Sequence, residues 1–165
     1  MTVVGSTKDP EALSLTIEAK FDAHVERVWQ IWQDPRQLER WWGPPTWPAT
    51  FEHFDFKRGG KVAYFMTGPD GEKPRGWWHF TSVAAPHLLE FDEGFADENG
   101  HPVAELGAAR VTVTLEGFGI TTRMTVSSVF ENEEQMRRML ELGMEEGLGQ
   151  AMGQIDAILA DQSVS

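Results

Sequence analysis

Few side chains in this sequence combine the residue type and the spacing that chemistry needs. Glu93 stands between Phe91 and Phe95 in an alternating segment, so the three share one face of a strand. A carboxyl set in an aromatic wall is desolvated, which raises its pKa and suits it to orient a ligand or to act as a general acid or base. A bulge at Gly94 would instead turn Glu93 out to solvent. Tyr64 and Ser128 are further polar groups that alternation places on the same side. His53 and Asp55 share a face and could supply two metal ligands, but parity turns that face outward and no third ligand is near. His24, His79, His87 and His101 are scattered over a helix start, a strand and turns, with no recognisable triad. The chain has no cysteine, which excludes thiol nucleophiles, disulfides and thiolate metal sites. The residues therefore lead us to expect no catalytic dyad, no metal and no cofactor.

The elements that must position these groups follow from periodicity. Leu13, Leu15, Ile17, Ala19 and Phe21 alternate with polar residues, which is a strand with one buried face. Asp22 or His24 can cap the helix that follows, where Val25, Val28, Trp29 and Trp32 fall at helical spacing. Asp34-Pro35 starts a second short helix, with Asp34 as N-cap and Pro35 at the first helical position. Gly43-Pro44-Pro45 stops it. Period two then returns, with strands expected at 50–57, 61–67, 75–83, 88–95, 108–116 and 120–130, joined by turn sequences such as Gly68-Pro69-Asp70-Gly71. From Glu131 to about Ala160 the period is 3.6, and Met136, Leu140, Met144, Leu148, Ala151, Ile155 and Leu159 form one apolar stripe. The expected order is one strand, two short helices, six strands and one long helix over 131–160. That is an α+β domain in which a seven-stranded antiparallel sheet buries one face against a single helix. Residues 1–12 read as a flexible leader, 13–160 as the domain and 161–165 as a tail.

Strand parity sorts the candidate pocket residues. Phe54 and Phe56 share a face with Tyr64 and Met66, joined by Phe91, Glu93, Phe95 and Met124 from later strands and Leu140 and Met144 from the helix. Trp78 is placed inward and Trp77 outward. Aromatics and methionines of this kind line adaptable apolar cavities; equally, they could simply fill a core. Gly143 and Gly147 are one helical turn apart, and each costs a helix interior about 1 kcal/mol relative to alanine. Room for a ligand, or close approach of the sheet, would compensate. Trp41, Trp42 and Trp47 cluster where the second short helix meets the sheet, with Trp41 the candidate for the gate of such a cavity.

Bulk properties narrow the partners. With 26 acidic and 14 basic residues the formal charge is -12, which repels phosphate backbones and anionic lipid heads. No apolar run approaches the roughly 20 residues of a membrane span, and Met1 to Pro10 lacks the features of a signal peptide. Neither nucleic-acid binding nor membrane insertion is expected, and a cytoplasmic location is. No exposed stripe demands a homodimer, and nothing excludes one.

Four segments together resemble a known family. "FDAHVERVWQIWQDPRQLERWWGPP" resembles its opening, in which an apolar strand ends in Asp-Ala and leads to Asp-Pro and Trp-Trp-Gly-Pro. "FDFKRGGKVAYFMTGPDG", "PHLLEFDEGFADENG" and "MLELGMEEGLGQAMGQIDAIL" follow in the family's order, so the resemblance covers roughly residues 13–160. The family is the bacterial branch of the activators of the ninety-kilodalton heat-shock protein ATPase, within the START-like superfamily that also holds polyketide cyclases and lipid-transfer proteins. The resemblance implies the helix-grip fold and a cavity between sheet and helix for an apolar or aromatic small molecule. It leaves three functions open: a binding protein without covalent chemistry, a cyclase or hydrolase using Glu93, Tyr64 and Ser128, and a module that regulates a protein partner. Eukaryotic chaperone activators carry an additional N-terminal domain for which this chain has no room, so a chaperone partner is not expected.

Overall fold

The computed structural model describes residues 2–161. Burial alternates strictly along β2 (Ser14–Phe21), where Leu15, Ile17, Ala19 and Phe21 turn inward. The same alternation carries β7 (Ala109–Phe118) and β8 (Thr121–Val129), whose inner residues Val111, Val113, Leu115, Met124 and Val126 are buried. Between them in sequence lie β3 (Ala49–Phe54), β4 (Lys61–Met66), β5 (Arg75–Ala84) and β6 (Leu88–Ala96). On β3 a bulge between Phe51 and His53 lets Phe51 and Phe54, three residues apart, face the same side.

The sheet has eight strands in the order β1-β2-β8-β7-β6-β5-β4-β3, antiparallel throughout. The expected seven-stranded count is corrected by β1 (Thr2–Asp9), which occupies most of the segment read as a flexible leader. Its residues from Gly5 onward are exposed, so they carry no hydrophobic period to betray a strand. Backbone pairing to β2 holds it, and Ser6 and Lys8 reach across to Glu145, the lysine at 3.2 Å. Of the expected tail only Asp161 falls within the described residues.

The sheet curls around two helical layers. α1 (Val25–Gln33) and α2 (Pro35–Leu38) bury Val28, Trp29, Ile31, Trp32 and Leu38. Asp34 caps α2 by accepting from the Arg36 backbone N–H at 3.0 Å, with Pro35 at the first position, as expected. His24 precedes α1 without a side-chain cap.

The single long helix is corrected to three segments: α3 (Glu133–Glu141), α4 (Met144–Met152) and α5 (Ile155–Leu159). Gly143 causes the first break. Its φ of 87° is left-handed, which ends α3 and starts α4. The apolar stripe survives the breaks: Leu140 and Met144 pack on one core cluster, Leu148 and Leu159 on the other. Ala151, Met152, Ile155 and Ile158 join the main core, while Met136 and Met139 belong to a second cluster with Leu15, Ala109 and Phe130.

Candidate ligand-binding cavity

The two clusters leave a gap between them. α1 and the turn after α2 send their tryptophans onto the inner face: Trp32 packs on Trp41 with centroids 4.7 Å apart, and Trp29 on Phe56 at 5.6 Å. Beyond them, between the sheet and α3–α4, a cavity of about 650 Å³ remains. Its wall is apolar over most of its area: Met66, Val111, Val126, Phe130, Met139, Met144 and Leu148 contribute from both clusters. Phe95 and Leu142 line it too and are partly exposed, 37% and 69%, as befits its mouth.

Strand parity does not distinguish filled rows of a face from open ones. Tyr64, Met66, Glu93, Phe95, Gly143, Met144 and Gly147 lie on the cavity wall. Phe54, Phe56, Trp78, Phe91 and Met124, expected there, belong to the core or pack against it; Trp29 of α1 covers Phe56, and Trp32 covers Trp78, Phe91 and Met124. Trp78 stacks on Phe91 with centroids 4.3 Å apart, and Trp32 donates its indole N–H to the Met124 sulfur at 3.3 Å. Trp41 is fully buried and donates to the Ile31 carbonyl, so it anchors the helices; its neighbour Trp42 reaches the wall instead. On α3, Leu140 packs against the second cluster while Met139 faces the cavity.

Gln135 lies outside the expected set. Its carbonyl accepts from the Glu131 N–H at 2.6 Å, and its amide donates to the Leu106 and Ala108 carbonyls, tying the start of α3 to the loop before β7. The only advance signal is the spacing of Asn132 and Gln135 at a helix start: Asn132 caps α3 by accepting from the Gln135 N–H at 2.8 Å, while the Gln135 side chain reaches back one residue further, to Glu131.

The polar part of the wall is small and concentrated. Trp78 and Glu93 are directly opposed across β5 and β6, and Tyr64 is opposed to Gly76 one step along. A Cβ on Gly76 would lie 2.4 Å from Cζ and Oη of Tyr64, so the missing side chain is what lets the tyrosine lie across β5. Trp42 packs edge-on to Trp78, centroids 4.8 Å apart, and 6.4 Å from Tyr64. Burial pushes the Glu93 carboxyl up to about 7, with no charged partner to offset it. It is enclosed by protein on every side yet keeps some accessible surface, because it faces the cavity. Burial, and then the nearby Glu93 charge, push the Tyr64 phenol well above its ordinary value. The indole N–H groups of Trp42 and Trp78 approach the Tyr64 hydroxyl closely enough to offset part of that rise. Neither completes a hydrogen bond, and both stay buried without a partner. Ser128 lies further along the wall.

Among the described residues no three histidine, cysteine or acidic side chains converge as metal ligands, and His53 is exposed. No helix there is long and apolar enough to cross a membrane.

A curved antiparallel sheet closed over by a C-terminal helical segment defines the helix-grip class of α+β proteins. Residues 22–160 match the family described as activator of Hsp90 ATPase homolog 1-like protein, and the chain belongs to that family. It is similar to a protein from Arthrobacter aurescens solved by NMR: 64% identity, TM-score 0.94, covering 97% of this chain and 93% of that one. The crystal structure of Ms6760 from Mycobacterium smegmatis is also similar, at 43% identity and TM-score 0.90, covering 98% and 99%. A Rhodobacter sphaeroides protein at 21% identity and TM-score 0.79, covering 96% and 97%, shares the fold. No curated protein matches the sequence.

Proposed function

We propose that this protein binds an apolar or aromatic small molecule in the cavity between sheet and C-terminal helices, in the cytoplasm and without covalent chemistry of its own. One observation carries the reading: a gap of about 650 Å³ persists beside a densely packed aromatic core, with an apolar wall that opens at Phe95 and Leu142. Interiors normally close voids of that size because their lining forfeits dispersion contacts. A ligand restores those contacts. Native mass spectrometry of protein purified from its own host tests this directly. A stoichiometric small molecule of low polarity, lost under denaturing conditions, is the expected result. Clean apo protein that also fails to quench tryptophan fluorescence with any apolar probe would overturn it.

A second reading, an enzyme of cyclase or hydrolase type, draws on the Glu93 carboxyl pushed up to about 7 beside Tyr64. A bound molecule recovered with altered mass after incubation, but unaltered with Glu93→Gln, would favour it.

A further inference from the structure

Two buried donors flank the Tyr64 hydroxyl at the inner end of the cavity, and neither has an acceptor. The indole N–H groups of Trp42 and Trp78 are buried and unpartnered, although the two tryptophans are only 9% and 1% exposed. Both approach one oxygen, the Tyr64 hydroxyl, without reaching hydrogen-bond geometry. An oxygen that faces two N–H groups offers them its lone pairs and turns its own proton away, toward the cavity. There the one charged group that acts on Tyr64 is Glu93, on the same wall. No lysine, arginine or histidine lies on the cavity wall, so a ligand carboxylate would meet a carboxyl and a phenol with nothing to neutralise it.

Resting on the proposed function, we infer that the occupant is an uncharged molecule whose apolar body fills the cavity and whose single hydrogen-bond acceptor, a carbonyl oxygen, is held by the Tyr64 hydroxyl and the Glu93 carboxyl. The carbonyl supplies the acceptor that the protein leaves out for the Tyr64 hydroxyl, whose lone pairs face the two indoles. Protonated Glu93 supplies a second donor, and its raised pKa keeps a substantial part of it protonated near neutrality. Tyr64 is the only other titratable group on the wall, whether from β4, β5, β6, β7, β8, α3 or α4. A buried carboxyl in an aromatic surround could also hold an ammonium group. The Tyr64 O–H decides for the acceptor, because an ammonium group offers its proton no lone pair.

The test uses four probes with one diphenyl skeleton: benzophenone, diphenylmethane, benzhydrylamine and diphenylacetate, titrated against the purified apo protein by calorimetry. We expect benzophenone to bind about tenfold tighter than diphenylmethane, as one or two hydrogen bonds to a buried carbonyl warrant, and diphenylacetate to bind weakest. Tyr64→Phe should reduce benzophenone to the affinity of diphenylmethane and leave diphenylmethane unchanged. Benzophenone affinity should fall as pH rises through 7, and Glu93→Gln should abolish that fall while preserving binding. Equal binding of benzophenone and diphenylmethane overturns this inference but leaves the cavity reading intact. Tightest binding of benzhydrylamine, strengthening as pH rises, overturns it in favour of a cationic ligand. Failure of all four probes sinks the cavity reading itself.

Discussion

Gly147 offers the cleanest perturbation of the cavity, because its surroundings can be read atom by atom. A Cβ built there meets only Pro44 Cγ, at 3.8 Å, which is ordinary van der Waals contact. Its φ is not left-handed, and it lies inside α4, where a glycine costs about 1 kcal/mol relative to alanine. Gly147→Leu should recover most of that. Its side chain then enters the cavity, where full burial of a leucine is worth about 1.5–3 kcal/mol, against about 0.5–1 kcal/mol of lost rotamer freedom. An open mouth lowers the burial term, so the net expectation is a gain of about 1–2 kcal/mol. For a domain of this size that raises Tm by several degrees, at about 2–4 °C per kcal/mol. Affinity for apolar probes, followed by tryptophan quenching, should drop at least tenfold as the side chain takes their volume. Gly143→Leu is the control. With φ at 87°, a branched side chain there costs about 1–2 kcal/mol whatever the space. A lowered Tm for Gly147→Leu, of the size an overpacked core produces, together with undiminished probe binding, would refute the reasoning.

Three further outcomes follow. Between pH 4.5, the ordinary carboxyl value, and about 7 the folded protein holds a proton on Glu93 that the unfolded chain releases, so stability falls as pH rises through that window. Urea melts should show Glu93→Gln free of this loss and more stable than the parent at pH 8, by no more than about 3 kcal/mol, less where cavity water solvates the carboxylate. Gly76→Ala should cost about 1–3 kcal/mol and shift the fluorescence of the Trp42–Trp78 pair, since its Cβ displaces Tyr64; an unchanged Tm and spectrum would contradict the geometry. Gln135→Ala leaves the Glu131 N–H and two loop carbonyls to find other partners, and should cost about 2 kcal/mol with faster amide exchange confined to the loop before β7 and the first turn of α3.

The seven strands from β2 to β8 were legible because each buries one face, and burial on one side writes a period of two into the residues themselves. The helix start at Asp34-Pro35 was legible for a related reason: capping is a local transaction between near neighbours. β1 was not legible. Its partners are backbone groups and Glu145, and neither leaves a hydrophobic pattern in Thr2–Asp9.

The stripe from Met136 to Leu159 correctly announced an apolar helical face but concealed its breaks, since a left-handed glycine and a spacing glycine look the same in a sequence. Gly143 was read as space and is also a bend; Gly147, which looked like its twin, is open space beside Pro44. Glu93 could be picked out from its two phenylalanine neighbours, because strand parity alone sets all three on one face. The choice of Trp42 over Trp41, and of Met139 over Leu140, needed the actual rotation of each helical turn against the sheet. So did the cavity. Parity makes Phe91 and Glu93 equivalent, and only the reach of Trp32 from α1, which covers the first and not the second, decides which of them faces packed rings and which faces a ligand-sized gap.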